Sequence, residues 1–274
     1  MTGGDTLEFP DQGSDAPDRS VVLGRVHWRP ILSFTAVVLL AVAIVPPFGG
    51  WLRTYEWTES LQFALLAIVV PALLALGAPW RAIGLGPRVS RLADMRRRHP
   101  EASRTVFFVG AEMCAFVVWR IPPAVNWLER GAWQVLVEAL VVIPVGLGFW
   151  LECVESPPLA PRSTRPVRIA AAAFAMWTIW VLAYLIGLSH ADWYRAFIHH
   201  AGRGFSLAAD QQITTGALWV LAACAFVPVI FWNLYCWLRS DEDPDQELHQ
   251  LARESRRRDR WSVAADRSRP TAGT

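Results

Sequence analysis

Six apolar runs divide this 274-residue chain, each close to the roughly 20 residues that an α-helix needs to cross a bilayer. They cover Ile31 to Pro47, Trp57 to Ala78, Val106 to Val125, Trp133 to Val154, Ile169 to Leu188 and Ile213 to Leu238. A run of that length leaves its backbone no partner but itself, so the expected fold is all-α: a polytopic membrane bundle of about six transmembrane helices. The remainder divides into a leader (1–30), the helical domain (31–238) and a polar tail (239–274). The Gly, Asp and Ser rich residues 1–20 and the tail from Ser255 predict disorder. The tail segment Asp245 to Arg260 reads as a solvated polar helix, with headgroup contact as the alternative.

Every one of the 26 basic residues is arginine, and their placement orients the bundle. With both termini cytoplasmic, twenty-one fall on the inside and only Arg53, Arg120, Arg130, Arg195 and Arg203 on the outside, as the positive-inside rule requires. Trp51, Trp57, Trp127, Trp133 and Trp193 then gather at the outer interface, and Trp28, Trp80, Trp150 and Trp237 at the inner one. A cleaved signal peptide is the alternative for the first run. The Arg-bearing leader is long, however, and Pro46-Pro47 follows without a small-x-small cleavage site, so a retained span is expected.

Chemistry is sparse. Cys114, Cys153, Cys224 and Cys236 form no CxxC and read as small apolar side chains. Met113, Cys114 and Cys224 are soft donors suited to Cu(I), but adjacent helix residues diverge by about 100°, so the first two do not share a direction. The arginine-rich loop from Arg81 to Arg104 reads as headgroup-facing and not as a nucleic-acid site. The chain carries no Gly-rich phosphate loop, GxSxG or HExxH. His190, His199 and His200 lie in the outer loop before the last span and are weak metal candidates, while His27, His99 and His249 fall on the other side.

Acids within the spans are the sharper signal, because an ionised carboxylate in hydrocarbon needs a partner. Glu59, Glu112 and Glu138 are the cases, and Glu152 lies near an inner end. Glu59 with Gln62, and Gln134 with Glu138, each share one helix face. With Asp210, Gln211 and Gln212 at the start of the last span they make a polar cluster near the outer surface. Two readings stand: hydrogen bonding that holds the helices together, and a ligand site.

Four segments resemble the CtaG family of cytochrome c oxidase assembly factors: TESLQFALLAIVVPALLALGAPWR (58–81), VVWRIPPAVNWL (117–128), VLVEALVVIPVGLGFW (135–150) and LAADQQITTGALW (207–219). They run in family order across most of residues 31–238. The resemblance implies a multi-pass protein of the bacterial cell membrane that supports oxidase maturation, is linked to copper delivery, and catalyses no reaction. It implies membrane lipid as surroundings, and oxidase subunits or another assembly or copper-carrier protein as partners. Where the family pattern has histidines, this chain has Glu59, Phe63, Arg120, Val135 and Ala139. It also has six runs where the family has seven, so it resembles a branch that keeps the scaffold and loses the histidine metal site. A Cu(I) site remade from His190, His199 or His200 with the outer carboxylates is a second reading. A small proton-coupled transporter or channel, with Glu112 and Glu138 as relay acids, is the alternative from another class.

Overall fold

The computed structural model describes residues 28–45, 54–81, 83–98, 102–161, 163–188, 194, 197 and 206–239. Among them are a short 3₁₀ helix (Pro79–Arg81), no strand, and eight longer helices: α1 (Trp28–Ile44), α2 (Glu56–Gly77), α3 (Gly86–Arg98), α4 (Ala102–Arg120), α5 (Pro122–Leu128), α6 (Ala132–Cys153), α7 (Arg165–Leu188) and α8 (Leu207–Arg239). The bundle is all-helical, as the apolar runs predict. Of the six runs, those giving α2, α6, α7 and α8 form helices long and apolar enough to cross a membrane. The first forms the 17-residue α1, which at 1.5 Å per residue covers about 25 Å. The third, expected as one span from Val106 to Val125, is broken: α4 and α5 meet at 71°.

That break follows from Pro122 and Pro123. A residue before proline is pushed out of the helical region, and Ile121 is extended at φ −71° and ψ 145°. Hydropathy alone does not register this, because Ile121 and the prolines are all apolar. The other departures concern bounds. Residues 1–27 of the leader, 240–274 of the tail and all six histidines lie outside the described residues, while Asp210, Gln211 and Gln212 fall inside α8, which begins before the last apolar run does.

Helix α2 is the centre of the bundle, packed on α1, α6 and α8. Of its most apolar stretch 67% is buried, against 22% for α8, so its composition is set by neighbouring helices and not by lipid. Pro71 shapes it. Proline has no N–H and its ring crowds the carbonyl four residues back, here Ala67, and the turn over Leu65–Val69 widens to a π-helix in which the Val70 N–H bonds the Leu65 carbonyl. Gly146 of α6 meets this widened turn. A Cβ there would lie 2.8 Å from the Ala67 carbonyl oxygen and 2.9 Å from Pro71 Cγ. In a membrane, such small-residue contacts are how helices gain close packing without a hydrophobic drive between them.

The end of the bundle where α2 finishes is tied by the loop after α6. Ala78 closes α2 in a left-handed conformation (φ 50°), and Trp80 beyond it donates its indole N–H to the Pro157 carbonyl at 3.1 Å. Ser156 Oγ donates to the Ala75 carbonyl, and Thr105 Oγ1 to Glu152 Oε2 at 3.1 Å. Elsewhere α7 and α8 are clamped by Trp180 and Trp219, stacked at 5.1 Å, each indole N–H donating to the other's backbone carbonyl.

Replacing Gly146 by valine forces overpacking at the α2 bulge, a change that costs about 1–3 kcal/mol in well-packed cores. The expected outcome is a lower thermal unfolding midpoint in detergent, with the same change at Gly110, where a Cβ would meet nothing within 4 Å, having little effect.

Candidate functional site

Arg120 ends α4 within the bundle, 2% exposed, and a guanidinium so placed requires a counter-charge. It finds Glu59, 3% exposed in the first turn of α2, in an ion pair between Nη1 and Oε2. The second guanidinium nitrogen donates to Ser60 Oγ at 2.8 Å, and Ser60 Oγ in turn donates to Glu59 Oε2 at 3.3 Å. Two rings complete the surroundings: the guanidinium carbon lies 5.5 Å from the Phe63 centroid and 5.3 Å from that of Tyr194. Tyr194 also donates its hydroxyl to the Arg120 carbonyl at 2.9 Å. That carbonyl belongs to the last turn of α4, where the prolines beyond leave it without a helical donor.

The other polar residues of this end act on helix termini. Tyr55, at the N-cap of α2, makes no side-chain cap. Asp210 supplies one from α8: its carboxylate accepts the Glu56 N–H at 2.8 Å and the Trp57 N–H at 3.0 Å. A carboxylate on the first N–H groups of a helix satisfies orphan donors and faces the positive end of the helix dipole. The glutamines serve carbonyls. Gln62 Nε2 donates to Ala43 O near the end of α1 at 2.6 Å, and Gln211 Nε2 donates to Ile186 O near the end of α7 at 2.5 Å.

Of the residues expected to converge, the structure joins Glu59 to α4, Gln62 to α1, Asp210 to α2 and Gln211 to α7. Glu138 is buried within the electrostatic reach of Arg120 and Glu59, with Oε1 unbonded. Gln134, one turn before it, is buried with its Oε1 also unbonded. Gln212 faces away and is exposed. His190, His199 and His200 lie outside the described residues. Sequence reasoning missed Arg120, Ser60, Glu56 and Tyr194 as members. The available signal was a lone arginine within an apolar run, in the same half of its run as an acid on another.

Two acids stand apart. Glu112 is buried on α4 with neither carboxyl oxygen hydrogen-bonded, and the fully buried Phe116 follows one turn closer to Arg120. Glu152 lies at the other end of the bundle, bonded by Thr105.

The described donors do not fit copper. No three His, Cys, Asp or Glu side chains among the described residues are grouped to hold a metal ion. Glu59 already carries a fixed guanidinium, which repels a second cation. Cys114 and Cys224 are exposed on their helices, and Met113 Sδ accepts the Thr178 hydroxyl at 3.1 Å.

Replacing Arg120 by glutamine leaves Glu59 buried without its cation, a loss of about 3–5 kcal/mol in comparable buried pairs. Adding Glu59→Gln is expected to recover part of the lost thermal stability, and strictly additive losses in the double-mutant cycle would contradict the coupling. Asp210→Ala removes the cap on α2 and is expected to cost about 1 kcal/mol, read as a lower unfolding midpoint in detergent.

The comparisons with known proteins agree with the segments quoted above. The family model for the cytochrome c oxidase caa3 assembly factor matches residues 19–240. No curated protein and no solved structure matches the chain. The match runs from the leader to just past the end of α8, through every helix that builds the polar site. This chain belongs to the cytochrome c oxidase caa3 assembly factor family.

Proposed function

We propose that this chain supports cytochrome c oxidase maturation as a non-catalytic membrane scaffold, engaging an assembly intermediate or another copper carrier at its outer end. In this reading the polar cluster holds a fixed arrangement of helix ends, and copper is handled by a partner. The observation that carries it is the buried Arg120–Glu59 pair: a cation from α4 is already built in against this acid of α2. Glu59, Phe63, Arg120, Val135 and Ala139 offer no soft ligand for Cu(I), and a carboxylate neutralised by arginine is a poor hard one. The surroundings of the cluster also favour a rigid role, since Asp210, Gln62 and Gln211 each spend their polar atoms on a neighbouring helix terminus.

Deleting the gene is expected to diminish the oxidase signal in reduced-minus-oxidised difference spectra and to lower oxygen consumption, with no rescue by added copper. An unchanged oxidase overturns the reading, and full rescue by copper transfers the role to copper supply by this chain.

Purified protein is expected to bind no copper under reducing conditions. Stoichiometric binding that disappears when His190, His199 and His200 are replaced together would instead place a copper site in the outer loop.

A further inference from the structure

We propose that α3 is a docking surface for anionic phospholipid, in which Leu92 and Met95 enter the headgroup layer while Arg88 and Arg91 engage lipid phosphates. Helix α3 connects the end of α2 to the start of α4, and two spans joined this way emerge on one face of the bilayer, so α3 lies at that face. One side of it is anchored: Ala93 is buried, and Leu85 and Val89 pack on the bundle core. These residues recur at intervals of four and so form one stripe.

The next side, about 110° around the helix from that stripe, is unusual for a helix in water. Leu92 and Met95, three residues apart, are 48% and 63% exposed, and Ile83 in the preceding turn is 67% exposed. Arg88 and Arg91 are exposed one turn before Leu92 and Met95 respectively, on the same face. Asp94, the one acid in the helix, lies off that face. Apolar side chains flanked by guanidiniums match the interfacial zone of a membrane: the aliphatic groups reach the acyl boundary, and arginine stems run along it with their heads among phosphates. The charge complement of such a face is a layer of net negative headgroups, attraction to which declines as salt is raised.

The test uses the full-length protein in nanodiscs of phosphatidylcholine alone or of phosphatidylcholine mixed with phosphatidylglycerol. Amide hydrogen exchange over residues 86–98 is expected to slow several-fold in the anionic discs, and Arg88→Gln with Arg91→Gln is expected to abolish the difference. Equal exchange in the two discs overturns the proposal. So does slowing in the neutral discs by an added oligonucleotide or acidic peptide with none from phosphatidylglycerol, which would assign the face to a macromolecular partner. A nitroxide at Met95→Cys, with the four native cysteines replaced by alanine, is expected to collide several-fold less with a water-soluble nickel chelate in anionic than in neutral discs. Free collision in both overturns the proposal, and the exchange measurement on the native cysteines decides should that variant not fold.

Discussion

A guanidinium and a carboxylate held together away from water set the conditions for the rest of this bundle. Arg120 and Glu59 sit where α4 must stop and α2 has just begun, and neither tolerates burial alone. Their pairing fixes the depth and rotation of the two helices relative to each other, because a hydrogen-bonded ion pair admits little sliding. The same arginine fixes a third element. One of its two ring contacts and its backbone carbonyl both go to Tyr194, which packs with Phe197 and Val125 in a small separate core. The break at Ile121 therefore costs less than a proline pair inside a span would suggest, since the carbonyl it frees is taken by the Tyr194 hydroxyl.

Helix ends explain most of the remaining polar residues. Each α-helix leaves four N–H groups at its start and four carbonyls at its end, and near hydrocarbon these have few alternatives to protein. Asp210 meets the N–H groups of α2, and Gln62 and Gln211 meet carbonyls of α1 and α7. The chemistry is matched to the need, with an acceptor-only carboxylate on donors and amide N–H groups on acceptors. What looks in one dimension like a binding cluster is in large part a set of caps exchanged between helices.

That arrangement bears on how an assembly factor of this family works without histidines in its spans. In this chain Glu59 and Arg120 join two helices by charge. A guanidinium cross-link needs no supply of metal and is indifferent to redox state, whereas a copper cross-link depends on both. Among the described residues of this cluster, Glu56 Oε1, Gln134 Oε1 and Glu138 Oε1 are buried acceptors without a hydrogen bond.

Hydropathy, arginine placement and the four family-like segments are local properties, so the helical class, the apolar runs and the family were all legible before any coordinates. So was the presence of acids that need partners, because the cost of a charge in hydrocarbon does not depend on which helix answers it. The partners themselves were not legible. Arg120 read as one of five outside arginines, and only the depth of α4 against α2 turns it inward onto Glu59. Gln211 and Gln212 are equivalent in the sequence, and a rotation of about 100° sends one to the Ile186 carbonyl and leaves the other exposed. Pairing, depth and rotation arise when several helices pack at once, which is why tertiary structure alone decided them.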